Sequence, residues 1–219
     1  MNQSNVHSKS GITLVGGGDP DPSDIVEAVS FAPFVVAADG GADFCREADI
    51  DPAVVIGDLD SVSDTARAAL PSVRFLQIPE QDTTDFEKCL SAIEAPFVLA
   101  TGFTDGRLDH TLAALSVLAR RIGPPTIVIG KEEVIFAAPA SLSLKLPEGT
   151  RVSVFPMASV TGRSSGLRWP IDGLTLDPMG RVGTSNIATG PVAFDFKTPG
   201  ALVLIPKAFL AEAISALTG

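Results

Sequence analysis

The sequence predicts an α/β fold over residues 11–138, with a mostly parallel sheet, followed by an antiparallel β-sandwich over residues 139–219. Three observations carry this reading. Short, near-continuous apolar runs alternate with amphipathic stretches in the first part, the pattern of strands buried on both faces between helices. After about Pro139 the runs shorten, alternate apolar with polar, and are punctuated by Gly and Pro. The charge changes at the same place: residues 1–137 hold 9 Lys and Arg against 21 Asp and Glu, and residues 138–219 hold 7 against 5. Such unlike parts point to two roles, with the boundary between Pro139 and Pro147.

Taken in order, the apolar runs at 12–15, 34–38, 53–56, 74–78, 97–100, 126–129 and 134–137 read as strands. Helical periodicity covers 23–30, 42–47, 63–70, 84–93 and 108–121. Ser23 and Ser63 are the expected N-caps of the first and third helices, Ser63 being followed by an acidic first turn at Asp64. In the second part, strands are expected at 141–146, 151–155, 174–176, 192–196 and 201–205, and a closing helix at 208–217. Residues 1–10 are polar and lack an apolar segment, so they read as a frayed tail rather than a signal or anchor.

Composition narrows the function. The chain has 219 residues, 45% hydrophobic and 19% charged, which is that of a folded globular protein. A net charge of −10 argues against a general grip on nucleic acid, which needs clustered Lys and Arg. The apolar runs are too short to span a membrane. Cys45 and Cys89 make neither a disulfide framework nor a zinc spacing, and read as buried thiols in a reducing cytoplasm.

The chemistry lies in aspartates at the ends of apolar runs. Asp39 follows Val35-Val36-Ala37-Ala38, and Asp58 and Asp60 follow Val54-Val55-Ile56-Gly57. Asp82 and Asp85 follow the run ending at Pro79, and Asp109 opens a helix two residues after Arg107. In a parallel sheet the carboxyl ends of the strands share one edge, where ligands bind. One such Asp is a turn or cap residue. Several on one edge repel each other unless a cation joins them, and hard oxygen ligands in that number suit Mg²⁺ with substrate phosphates in its shell. Gly16-Gly17-Gly18 and Gly40-Gly41 follow the first two strands, where backbone N–H groups can approach phosphate. Neither forms a P-loop or a dinucleotide fingerprint. His110 adjoins Asp109 but faces elsewhere on the helix, which favours a structural role.

Four segments, in order, resemble the motifs of the thiamine pyrophosphokinase family. They are Asp39-Gly40-Gly41-Ala42, Gly57-Asp58-Leu59-Asp60-Ser61, the segment from Gln81 to Lys88, and Gly106-Arg107-Leu108-Asp109-His110. Gly166-Leu167-Arg168-Trp169-Pro170 and Ser185-Asn186 resemble its thiamine-side segments. The resemblance runs from about Ile12 to Pro206. It implies transfer of pyrophosphate from ATP to the hydroxyl of thiamine, with AMP as the second product. It also implies a homodimer with active sites at the subunit interface. Asp58, Asp60 and Asp85 would hold magnesium, with Asp39 and Gly40 close by. Gln81 would reach thiamine, while Thr84, Lys88, Arg107 and Asp109 would serve the phosphates and the reacting hydroxyl. Trp169, Ser185 and Asn186 would form the vitamin pocket. As an alcohol needs a carboxylate to orient it or take its proton, Asp85 and Asp109 are the candidates. Trp169, the single Trp, reads either as a core residue or as a flat ring for a heteroaromatic cation.

Three positions depart from the pattern: Leu59 where Phe is frequent, Asp105 where Gly is usual, and Ile187 where an acid is common. Two alternatives remain open at this stage. Asp58-Leu59-Asp60 is a D-x-D that would also suit a nucleotide-sugar transferase, and a non-catalytic thiamine or nucleotide sensor would keep the pocket without turnover. The separate Asp85 segment argues against the first, and the full carboxylate set against the second.

Overall fold

The computed structural model describes residues 6–219, which divide into two compact units. The first comprises residues up to Val117 with Arg121–Lys131, and the second Leu118–Arg120 with Glu132–Gly219.

The first unit alternates strand and helix. Its elements are β1 (Val6–His7), β2 (Ile12–Val15), α1 (Pro22–Phe31), β3 (Phe34–Ala38), α2 (Gly41–Glu47), β4 (Val54–Gly57) and α3 (Asp64–Ala69). There follow β5 (Arg74–Gln77), α4 (Asp85–Ala92), β6 (Ile93–Glu94), β7 (Val98–Thr101), α5 (Leu108–Ala119) and β8 (Thr126–Ile129). Two parallel ladders form, β3–β4–β5 and β2–β7–β8, and β2 lies beside β3. β2, β4, β7 and β8 are buried along their whole length, which explains their unbroken apolar runs. Among the described residues β5 pairs with β4 alone, and it has Arg74 and Gln77 exposed, as an end strand can. From β2 the chain winds through β3, β4 and β5 on one side, then crosses to β7 on the other. The crevice at such a reversal is where α/β sheets take ligands.

Under this sheet Val15, Ile25, Val35, Ala37, Cys45, Val55 and Leu70 form one apolar cluster. Each large aliphatic side chain buried there contributes about 1.5–3 kcal/mol. Both thiols are buried, as expected, and burial pushes Cys45 up to about 12 and Cys89 well above the usual thiol range. They are inert at neutral pH.

Local details correct several expectations. The N-cap of α1 is Asp21, whose side chain accepts from the Ser23 N–H at 2.8 Å, while Ser23 lies inside the helix behind Pro22. Ser63 stands directly before α3 and its carbonyl accepts from the Arg67 N–H at 3.0 Å, as an N-cap residue's does, while its hydroxyl donates to Asp43 Oδ1. The expected frayed tail falls in part on residues 1–5, which lie outside the described residues. The remainder is ordered: β1 pairs in parallel with β6, and Val6 is buried. That pairing also ends α4 at Ala92, because Ile93 turns extended. Among the described residues no helix is long and apolar enough to cross a membrane.

The second unit holds β9 (Glu133–Ala137), β10 (Ser141–Leu144), β11 (Arg151–Pro156), β12 (Val160–Leu167), β13 (Thr175–Leu176), β14 (Gly183–Phe196) and β15 (Ala201–Pro206). A 3₁₀ turn at Lys207–Phe209 leads into α6 (Leu210–Thr218). Every pairing among these strands is antiparallel, as the alternation predicted. β12 was not anticipated, because Gly162, Arg163, Ser164, Ser165 and Gly166 mask its pattern. Its strand is held by pairing with β14 rather than by apolar side chains. β14 is longer than the 192–196 run, starting at Gly183. Its first half pairs with β11 and its second with β10, and β12 pairs with it as well, so one strand serves three ladders.

Candidate active site: an acidic cleft in the first unit

The turns that follow β2, β3, β4, β5 and β7 meet at a cleft of about 510 Å³. Glycine makes this approach possible. Gly16 N–H donates to the Thr101 carbonyl at 2.8 Å, and Gly18 N–H to the Gly102 carbonyl at 3.0 Å, which ties the turns after β2 and β7 together. A Cβ on Gly57 would lie 2.9 Å from the Cβ of Asp39 and 3.4 Å from Asp85 Oδ1. Only glycine lets β4 end between two carboxylates.

Asp39, at the end of β3, is 4% exposed and adopts φ 44°, rare for a residue with a Cβ. Its N–H donates to the Ile56 carbonyl at 2.8 Å, and its Oδ2 accepts from the Ser61 N–H at 3.3 Å. Oδ1 is buried with no partner among the described residues. Asp58 Oδ2 accepts from Gln81 Nε2 at 2.8 Å, and its Oδ1 from the Asp60 N–H at 3.2 Å. One oxygen each from Asp39, Asp58 and Asp60 lie within 4.8 Å of one another. A buried carboxylate oxygen without a donor, facing further carboxylates, is the donor set of a hard divalent cation. The acidic cluster therefore fits a divalent metal.

Asp85 opens α4, capped by Thr84, whose side chain accepts from the Glu87 N–H at 3.3 Å. Its Oδ1 accepts from Lys88 Nζ at 3.4 Å, and the same ammonium lies 3.9 Å from Asp58 Oδ2. Lys88 is buried and lies between the two carboxylates, so it neutralises part of the cluster from within. Glu80 shapes the preceding loop by accepting from the N–H groups of Asp82 and Thr83 and from the Thr83 hydroxyl.

The carboxylates are not equivalent. Burial pushes Asp39 above the usual range, against the Ser61 hydrogen bond, and the charges of Asp85, Asp58 and Asp60 push it further. Burial likewise raises Asp85, with Lys88 pulling it down and Asp58 and Asp60 pushing up. Asp58 is held low by hydrogen bonds from Gln81 and the Asp60 backbone. Burial thus disfavours the charged form of Asp39 and Asp85, and hydrogen bonds favour that of Asp58.

A stability consequence follows. A raised folded value means the folded state holds its proton more tightly, so Asp39 costs stability as pH rises through that value. Asp39→Asn is therefore expected to raise the melting temperature of the metal-free protein at neutral pH and to flatten its dependence on pH above the usual carboxylate range. Thermal unfolding in chelator between pH 4 and pH 8 checks this; an unchanged or lower melting temperature at neutral pH would contradict it.

Among other predicted residues, Gly40, Gln81, Thr84, Lys88 and Arg107 line the cleft together with Asp39, Asp58 and Asp85. Asp109 does not: its carboxylate accepts from Arg107 Nε at 3.1 Å and from Nη2, and this exposed pair holds Asp109 below the usual range. His110, set aside in the sequence, does line it. Phe44, Ser61 and Phe103 also line it without having been singled out. Phe103 contacts Phe86 at a centroid distance of 4.4 Å. A glycine-flanked aromatic after β7 was the available signal for Phe103.

Trp169, Ser185 and Asn186 belong to the second unit. Trp169 is 53% exposed, which rules out the core reading, and the Arg168 guanidinium lies 4.8 Å above its ring. Asn186 is buried, its Oδ1 accepting from the Trp169 N–H at 3.2 Å and its Nδ2 donating to the Trp169 carbonyl at 2.6 Å. Its amide is thus spent on placing the indole. Ser185 is exposed at φ 60°, and its N–H donates to Ser153 Oγ at 3.0 Å.

Part of the chain is similar to proteins of known kind. Residues 26–128 match the family described as thiamin pyrophosphokinase, catalytic domain. Thiamine pyrophosphokinase 1 of Oryza sativa subsp. japonica is 28% identical over 155 residues, 62% of this chain and 59% of the relative. The chain thus spans under two-thirds of that relative's length. Thiamin pyrophosphokinase 1 of Caenorhabditis elegans is 27% identical over 186 residues, 74% of each chain. The fold is shared with thiamine pyrophosphokinase from Bacillus subtilis, at a TM-score of 0.73 and 22% identity over 90% of this chain and 98% of that one. It is shared also with the Candida albicans protein, at a TM-score of 0.75 and 15% identity over 93% of both.

Proposed function

We infer, from the match of residues 26–128 to the family described as thiamin pyrophosphokinase, catalytic domain, that this chain transfers pyrophosphate from ATP to the hydroxyl of thiamine, giving thiamine diphosphate and AMP. The observation that carries the reading is the convergence of Asp39, Asp58 and Asp60 at a cleft lined by Asp39, Asp58, Lys88 and Arg107. Carboxylates for a metal and cations for a polyphosphate are the two halves of a phosphoryl-transfer site. The family match disfavours the sugar-transferase alternative, and the complete carboxylate set disfavours a pure sensor.

Mg²⁺, held by Asp58 and Asp60 with Asp39, would neutralise charge on the triphosphate. The protein's own groups do the rest. Lys88 and Arg107 place the phosphates, with Thr84 and the Gly40 backbone at the same edge. Gln81 reaches toward thiamine. Asp85 sits beside Lys88 with a raised value, which suits a carboxylate that takes the hydroxyl proton. Asp109, pinned to Arg107, orients that guanidinium. The hydroxyl oxygen bonds to the β-phosphorus, the bond from that phosphorus to the bridging oxygen of AMP breaks, and AMP leaves.

The 139–219 part is read as the sandwich that binds thiamine and forms the homodimer, in the cytoplasm, with each active site at the interface. Trp169 supplies an exposed flat ring for the vitamin's cation, Asn186 fixes that ring, and Ser185 offers polar contact. Chromatography of a mixture of the protein, ATP, Mg²⁺ and thiamine tests the reaction. AMP is expected in step with thiamine diphosphate. ADP with thiamine monophosphate would mean transfer of one phosphoryl group, and neither pair would mean no such activity.

A further inference from the structure

Between Asp58 and Asp60 the backbone takes a conformation that leucine resists. Leu59 has φ 68°, in the left-handed region where a Cβ crowds the following carbonyl. Such a residue stays there only where its surroundings over-determine it. Two side chains that do not line the cleft do so by holding consecutive carbonyls. Gln77, at the end of β5, donates Nε2 to the Asp58 carbonyl at 3.1 Å. Arg67, on α3, donates Nη2 to the Leu59 carbonyl at 2.7 Å. The guanidinium is itself seated, 5.4 Å above the Phe75 ring, and both Phe75 and Leu59 rest against the apolar cluster beneath the sheet.

We propose that Arg67 is a positioning residue for divalent-cation binding, because its hydrogen bond to the Leu59 carbonyl locks the left-handed turn that aims Asp58 and Asp60 at one ion. The proposal rests on the reading of Asp58 and Asp60 as ligands. Groups behind the ligands set ligand orientation, and here the group acts on the backbone that joins two of them. An arginine suits the task, since its planar fork can stack on an aromatic ring and donate sideways at once. The sign of the effect separates this role from simple charge. Arg67 is a cation near an acidic cluster, so by charge alone its removal would tighten cation binding. As a clamp, its removal weakens binding.

Mn²⁺ serves as the probe, titrated calorimetrically without nucleotide into the wild-type chain, Arg67→Ala, Arg67→Lys and Asp58→Asn, with a melting curve for each. Arg67→Ala is expected to bind Mn²⁺ about 10-fold more weakly than wild type, the low end of what lost outer support costs a metal site. Arg67→Lys keeps a donor and is expected to recover part of that loss. Arg67→Ala binding as tightly as wild type, or more tightly, overturns the proposal. Failure of the underlying reading looks different: wild type and Asp58→Asn would bind alike, and the proposal would fall with it. If Arg67→Ala does not fold, Gln77→Leu takes its place, weaker binding supporting the clamp and unchanged binding overturning it.

Discussion

Asp58→Asn is expected to lower turnover about a thousandfold, the loss that follows removal of a preorganised charge from a reaction centre. The structure explains why this residue should matter most. Asp58 faces Asp39 and Asp60 within a shared 4.8 Å, receives Gln81 and the Asp60 N–H, and lies 3.9 Å from Lys88. Hydrogen bonds from Gln81 and the Asp60 N–H hold it below the usual carboxylate range and so favour the ionised form that a cation binds. Asparagine keeps the shape and an acceptor oxygen but not the charge. The fold should survive, because the lost attraction to Lys88 is offset by relief of repulsion from Asp39 and Asp85. Steady-state AMP formation at saturating Mg²⁺, beside a melting curve, measures both. Turnover within threefold of wild type in a folded variant would remove Asp58 from the reaction.

Gly41→Ala is expected to destabilise the chain by about 3 kcal/mol, the upper end of what forcing an atom into a filled space commonly costs. Gly41 is the first residue of α2, packed on the end of β2. A Cβ there would fall inside contact distance of the Val15 carbonyl oxygen and lie 3.2 Å from the Gly16 carbonyl carbon. Neither is a flexible side chain, so the helix itself must shift, carrying Gly40 and Asp39 with it. Activity should fall as well as stability. Gly40→Ala is the control: its nearest neighbours would be at 3.5 Å and 3.6 Å, ordinary contact, and it is expected to cost under about 0.5 kcal/mol. Denaturant midpoints for both variants decide it, and equal midpoints would refute the close-packing argument.

Much of this site was legible in the chain. Strand ends are marked by where an apolar run stops, and in a parallel sheet all such ends share one edge. Asp39, Asp58 and Asp85 could therefore be gathered on paper without a single distance. The same logic placed Gly40 beside them, whereas Lys88 and Arg107 were assigned through the resemblance of their segments to a known family. Less regular segments were missed for equally physical reasons. β12 is rich in Gly and Ser and is a strand because β13 and β14 pair with it. Val6 and His7 are strand only because Ile93 and Glu94 are beside them.

What the sequence determined by itself, then, is periodic and local: where strands and helices lie, which acids sit at strand ends, and that both cysteines face inward. What tertiary structure decided is pairwise and through space. Asp39 and Asp58 are both acids at strand ends, yet burial raises one and hydrogen bonds lower the other. Asp109 is held by the Arg107 guanidinium and the Asn186 amide by the Trp169 backbone, partners that no spacing along the chain announced. A residue's kind and its place in an element are written along the chain. Its charge state and hydrogen-bond partner depend on distances to residues far away in sequence, because desolvation and Coulomb interaction act across space and carry no period.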